Sequence, residues 1–239
     1  MRVRDMPMSV DAEAVTIEVD AARRVSGLLI APDGAHACYV LAHGAGAGMT
    51  HPFMTAVSVA LAAQRIATLR YQFPYMEQRS KRPDSPAVAH AAVRAAVAEA
   101  ARRLPEATLI AGGKSFGGRM TSQAQAIEPL RGVRGIVFLG FPLHPPRAPS
   151  DERARHLFDV GVPMLFLQGT RDELADLSLL QPLVAKLGVN ATLELFAEAD
   201  HSFHAPLRSG HTDADRIARI AELVAAWIAQ AVIDRPSSS

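Results

Sequence analysis

The sequence predicts an α/β domain, with a mostly parallel sheet of about eight strands and helices packed on both faces. Two observations carry this. Short, continuous apolar runs recur along the chain, as strands buried on both faces require, and helical segments alternate with them. A third observation bounds the answer: 239 residues suffice for one sizeable core and are short for two. No repeat, low-complexity tract or linker marks an internal boundary. One domain over residues 1–239 is expected, with 1–12 and 234–239 as frayed tails.

Taken in order, "AVTIEVD" alternates apolar and polar residues, and "RRVSGLLIAPDGA" ends in a Pro-Asp-Gly turn; both read as antiparallel edge strands. The pattern then changes at "HACYVLAHG", the first continuous apolar run. It is followed by "RIATLRYQF", "ATLIAGG", "GIVFLGF", "PMLFLQG" and "ATLELFAEA". Between them, "HPFMTAVSVALAAQ" reads as a helix, as does "SPAVAHAAVRAAVAEAARRL", where Ser85 is placed to cap and Pro86 to open the first turn. A third helix should start at Ser115 and a fourth within "ELADLSLLQPLVAKLG". The last, over residues 211–233, sets Ile217, Ile220, Val224, Trp227, Ile228 and Ala231 on one face.

Composition narrows the function classes. Lysine plus arginine is 25 and aspartate plus glutamate 24, a net charge of +1, which gives no electrostatic case for nucleic acid or an anionic membrane as partner. No window approaches the ~18–20 apolar residues of a membrane span, and no apolar stretch follows the basic N-terminal residues. A soluble, cytoplasmic protein is expected. Cys38 is the single cysteine, so no internal disulfide and no thiolate zinc cluster can form, and its apolar neighbours make it a strand residue.

In sheets of this kind ligands bind at the carboxyl ends of the strands, so residues just after the apolar runs matter most. "LIAGGKSFGGRM" (109–120) admits two readings. A phosphate-binding loop needs a glycine five residues before Gly113 to start a long loop; that position is Thr108, still within the strand. "HGAGAGM" fails similarly as a dinucleotide fingerprint, because Met49 stands where the third glycine belongs and no acidic residue ends the next strand. The remaining reading is Gly-x-Ser-x-Gly at a strand-to-helix turn, which lifts a strained serine, Ser115, into reach of a carbonyl.

A serine hydroxyl needs a base, and the base needs an orienting group. "PMLFLQGTRDELAD" offers Asp172 after its strand, with Glu173 or Asp176 as alternates. "ATLELFAEADHSF" offers His201, with His204 and His211 as alternates. Asp200 reads as a local loop acceptor, and His43 as a ring packed under its loop. An oxyanion hole needs two donors: the amide of Phe116, and an amide from the glycine-rich loop, Ala45 or alternatively Gly46. Lys114 reads as incidental. The segment "YQFPYMEQRSKRPDSP" is expected to wall the pocket, with Tyr71, Phe73 and Tyr75 as an apolar surface. Its Arg79, Lys81 and Arg82 either favour an anionic substrate group or are solvated loop charge. His144 either lines the pocket or sits on a surface loop.

Together "HGAGAGM", "GGKSFGGRM", "GTRDEL" and "ADHSF" resemble the α/β-hydrolase superfamily. More narrowly they resemble the bacterial predicted-hydrolase group related to a testis-expressed animal protein and to subunit 3 of the animal non-specific-lethal chromatin complex. The resemblance spans roughly residues 13–232. It implies the α/β-hydrolase fold and Ser115, Asp172 and His201 as a catalytic triad. Many members of the superfamily carry a large cap after the sixth strand; here "HPPRAPSDERARHLFDVGV" allows one short helix, so a minimal cap and an open or shallow pocket are expected. The expected activity is hydrolysis of an ester, thioester or related acyl bond of a small molecule, with no metal and no organic cofactor. Some animal relatives are thought to act as complex subunits, so the other reading is a non-catalytic protein-binding module.

Overall fold

The computed structural model describes residues 11–206 and 210–233. Of the expected tails, residues 1–10 and 234–239 lie outside them. One sheet of eight strands runs through the molecule in the order β1-β2-β4-β3-β5-β6-β7-β8. The strands are β1 (Glu13–Glu18), β2 (Arg24–Ile30), β3 (Ala37–Ala42), β4 (Ile66–Tyr71), β5 (Thr108–Lys114), β6 (Val133–Leu139), β7 (Met164–Gly169) and β8 (Ala191–Phe196). β1 and β2 pair antiparallel, as do β2 and β4, and every later pairing is parallel. Only β1 of the first two strands is an edge. β2 is flanked on both sides, which corrects the edge reading of "RRVSGLLI".

The continuous apolar runs split by strand periodicity between two cores. On β3, Cys38, Val40 and Ala42 join one cluster and Ala37, Tyr39 and Leu41 the other. β6 and β7 divide the same way, with Ile136, Phe138, Met164 and Phe166 facing one side and Val137, Leu139, Leu165 and Leu167 the other. Alternation over a pleat thus turns one apolar run into two buried faces. Helices α3 (Pro86–Arg103), α4 (Phe116–Ile127) and α5 (Leu177–Leu187) cover the first face. Helices α1 (Pro52–Ala63) and α6 (Asp213–Trp227) cover the second; α2 (Pro74–Glu77) is a single turn after β4.

The helix boundaries follow local chemistry with two departures. Ser85 occupies the N-cap of α3, but its side chain makes no capping hydrogen bond, and Pro86 alone sets the first turn. The last helix begins at a capping box, in which Thr212 and Asp215 satisfy each other's backbone amides. It passes into a π-helical turn at Ile228–Ile233. Between β6 and β7 lies one 3-10 helix, Glu152–Asp159, in place of a cap.

Candidate active site

β5 ends at Lys114 and α4 begins at Phe116, so Ser115 alone makes the turn between strand and helix. Its backbone is left-handed, at φ 50° and ψ −115°, a conformation that costs a non-glycine residue about 1–3 kcal/mol. Two neighbours make that turn possible. Gly113 has φ +151° and lies against the Ala42 carbonyl. Gly117 brings α4 onto the end of β3: a methyl group there would stand 2.6 Å from the His43 carbonyl oxygen and 2.7 Å from Ala42.

Asp172 follows β7 and His201 follows β8, on the same edge of the sheet. His201 Nδ1 lies 2.7 Å from Asp172 Oδ2. A carboxylate only accepts, so Nδ1 carries the proton and Nε2 is left with a lone pair. Asp172 is buried, and its other contacts fix it: Gln168 Nε2 donates to Oδ2, and the Leu174 amide donates to Oδ1 at 2.8 Å. His201 and Ser115 line one cavity of about 320 Å³, with Phe53, Met54, Ala47 and Leu174 among its walls. Ser115 also opens on a second cavity of about 530 Å³, shared with Ala45 and Phe116.

Of the alternates, Asp176 and His204 are engaged elsewhere, and Glu173 is exposed. Asp176 caps α5 through Ser178, and Asp200 accepts from the amides of Ser202 and His204, holding its own loop. His204 pairs with Asp213 at 3.0 Å, and His211 is exposed. The two candidate loop amides also part company. Gly46 N–H donates to the Tyr75 hydroxyl at 3.1 Å, whereas Ala45 and Phe116 line the Ser115 cavity.

His43 is fully buried: its Nδ1 donates to the Gly44 carbonyl, and its Nε2 accepts from the Phe73 amide at 3.1 Å. Burial pushes its pKa down to about 4, so it is a neutral strut between the glycine loop and the segment after β4. Arg70 braces the same loop, donating to the Met49 carbonyl and to Thr55 Oγ1.

The expected aromatic wall is corrected. Tyr71, Phe73 and Tyr75 are 0%, 0% and 2% exposed and belong to the core cluster. They continue the inward face of β4: Tyr71 meets Phe73 edge-on, Phe73 stacks on Tyr75, and both Phe73 and Tyr75 meet Phe116 edge-on. The segment does reach the second cavity, through Pro83, Asp84 and Pro86, while Arg79, Lys81 and Arg82 are solvent-exposed. His144 is likewise no pocket residue. It is buried, donates to the Pro145 carbonyl, and accepts from the Asp176 amide at 2.9 Å, tying the β6 loop to the start of α5.

Sequence reasoning missed Lys114. Its Nζ donates to the His201 carbonyl at 2.5 Å and lies 5.8 Å from the Phe203 ring centre. Burial pulls its pKa down to about 8 against the opposing fields of Asp172 and Asp200. The strand period holds the available signal: Ile110, Gly112 and Lys114 share a face, the one from which the His201 loop is reached. Among the described residues no cluster of three metal-ligating side chains occurs, and no helix is long and apolar enough to cross a membrane.

Comparison with known proteins agrees with this fold. The family described as "Alpha/beta hydrolase domain" matches residues 35–229. Among solved structures, the chain is similar to a dienelactone hydrolase from Anabaena variabilis, at 21% identity and a TM-score of 0.73, covering 93% of this chain and 98% of that one. It is also similar to a serine hydrolase without a lid from Xanthomonas campestris, at 18% identity and a TM-score of 0.70, covering 97% and 99%. An esterase domain from Rhodothermus marinus aligns at 16% identity and a TM-score of 0.69, covering 91% and 98%.

Proposed function

Because the chain belongs to the α/β-hydrolase family, we propose that it is a serine hydrolase acting on an ester or thioester of a small molecule. One observation carries the reading: His201 is held through Nδ1 by a buried carboxylate, and shares a cavity with a serine on a strained strand–helix turn. The sequence around Ser115, "GGKSFGGRM", resembles that of the bacterial group related to the testis-expressed and non-specific-lethal proteins, which supports a narrower placement there.

Ser115 Oγ attacks the acyl carbon while His201 Nε2 takes its proton. Asp172 keeps the imidazole in the tautomer that can accept that proton and stabilises the imidazolium that results. The carbonyl oxygen turns negative and is met by the amides of Phe116 and Ala45, each such donor being worth about 3–4 kcal/mol of barrier. Gly46 is the weaker alternate, since its amide already serves Tyr75. The tetrahedral intermediate collapses, and the leaving oxygen or sulfur departs with the proton from His201. Water, deprotonated by the same nitrogen, then releases the acyl group from Ser115. The chain's own groups supply nucleophile, base and oxyanion donors, so no step calls for a metal or organic cofactor.

Intact mass after exposure to a fluorophosphonate tests the assignment. One adduct on the wild type and none on Ser115→Ala is the expected result. A folded wild type that takes no adduct, or a Ser115→Ala protein that labels equally, overturns it and leaves a binding module.

A further inference from the structure

Resting on that reading, the second cavity points to the chemistry of the substrate. Arg119 lies one helical turn beyond Ser115; its amide donates to the Ser115 carbonyl at 3.1 Å, so the two side chains rise from the same side of α4. Arg119 lines the 530 Å³ cavity together with Ser115, Phe116 and Ala45. Its Nε is buried without a hydrogen-bond partner, and among the described residues its guanidinium makes no ion pair. Arg153, from the 3-10 helix between β6 and β7, lines the same cavity and also has no ion pair among the described residues.

Arg119 is half-buried, and arginines drawn out of water are ordinarily paired, because an uncompensated charge there is costly. Here burial and the like charge of Arg153 both pull the Arg119 pKa down. His156, next in the same 3-10 helix, is neutral, pushed down to about 4 by burial and by Arg119. Asp84 borders the cavity too, but its carboxylate accepts from the Tyr75 amide at 3.0 Å and forms no ion pair with either arginine. The remaining walls are largely proline and aliphatic, including Pro142, Pro145, Pro146 and Leu174.

We propose that this cavity is an anion subsite: the substrate is an acyl compound carrying a carboxylate or phosphate, which Arg119 and Arg153 clamp while its carbonyl lies at Ser115. Guanidinium groups match such oxyanions in a two-pronged geometry. The apolar cavity walled by Phe53, Met54 and Ala47 takes the uncharged half of the molecule. The two arginines set the sign of the ligand's charge, and Arg119 stands one helical turn from Ser115. The anion belongs either to the acyl half or to the leaving half, and matched substrates separate these.

The test compares kcat/KM within two pairs of esters on wild type, Arg119→Gln and Arg153→Gln. One pair is mono-4-nitrophenyl glutarate against 4-nitrophenyl butyrate, with the charge on the acyl half. The other is 4-butyryloxybenzoate against its methyl ester, with the charge on the leaving half. Wild type should favour the anionic member of one pair, and each variant should cut that anionic-to-neutral ratio by about tenfold or more. Arg119→Lys should retain part of the preference. Variants that leave both ratios unchanged, or lower both members of each pair equally, overturn the subsite. Calorimetry of glutarate binding to Ser115→Ala supplies a readout without turnover: binding that Arg119→Gln abolishes supports the subsite, and no binding counts against it. Fluorophosphonate labelling of wild type with no anion preference defeats this inference alone, whereas absence of labelling defeats the hydrolase reading.

Discussion

Replacing Gly117 by alanine sets two effects against each other, and the structure decides between them. Gly117 is helical with a negative φ, so alanine there gains about 1 kcal/mol of helix propensity. Against this, the new methyl would meet the His43 carbonyl oxygen at 2.6 Å and Ala42 at 2.7 Å, where ordinary contact begins near 3.4 Å. Helix and strand must therefore separate by roughly 0.8 Å, and since both partners are backbone, no rotamer change relieves the overlap. Overpacking costs about 1–3 kcal/mol, and a backbone clash this close takes the upper end, leaving a net loss of about 2 kcal/mol. In a domain of this size that lowers Tm by roughly 4–8 °C. The displaced end of β3 leads into the loop bearing the Ala45 amide, so losing that donor should reduce kcat by about 10²–10³. Circular-dichroism melts and steady-state kinetics on 4-nitrophenyl butyrate measure both. Gly161→Ala is the control, since a methyl there meets nothing within 4 Å. A Gly117→Ala protein with wild-type Tm and kcat would refute the close approach of α4 to β3.

Acidification should destabilise the fold through buried His43 and half-buried His156, whose pKa values are pushed from 6.5 to about 4. The unfolded chain takes up those protons first, so stability falls as pH drops from 6.5 toward 4, by about 3 kcal/mol for His43 and by less for the more solvated His156. Urea titrations should show a shallower loss for His156→Gln. Lys114→Met removes the donor to the His201 carbonyl and should lower kcat about tenfold, read on a neutral ester; unchanged kcat would make that contact idle. The same variant should remove an alkaline gain in stability. Lysine at 10.5 unfolded and about 8 folded leaves the unfolded state holding more protons in that window, so stability rises with pH there by about 3 kcal/mol. Turnover itself should fall toward acid, because only neutral imidazole accepts the serine proton. A profile flat from about pH 5 to 8 would count against a histidine base.

The sheet was legible because apolar runs such as "ACYVLA" can be buried only on both faces, and the strand ends then marked Ser115, Asp172 and His201. What escaped depends on which way a side chain points. Tyr71, Phe73 and Tyr75 look like a wall when read as a loop, yet their spacing of two continues the inward face of β4, and that signal was available. His144 follows a strand end like a pocket residue, but the distant Asp176 amide that claims its Nε2 has no trace in local sequence. Lys114 was overlooked because its partner is a main-chain carbonyl 87 residues away, a contact no residue type announces. Arg119 could have been found from its place four residues after Ser115, which sets the two on one helix face.

The single 3-10 helix between β6 and β7 has a kinetic consequence. Where a large lid folds over an active site, its opening and closing can govern turnover; a connection this short leaves no such element between Glu152 and Asp159 to swing. Ser115 borders two cavities at once, so an acyl group held in one leaves the other side open to an incoming molecule. Bulk water, at its overwhelming concentration, then competes with any alcohol or thiol for the acylated serine. Under the proposed mechanism, that open side favours release of the acyl group to water over its transfer to another acceptor.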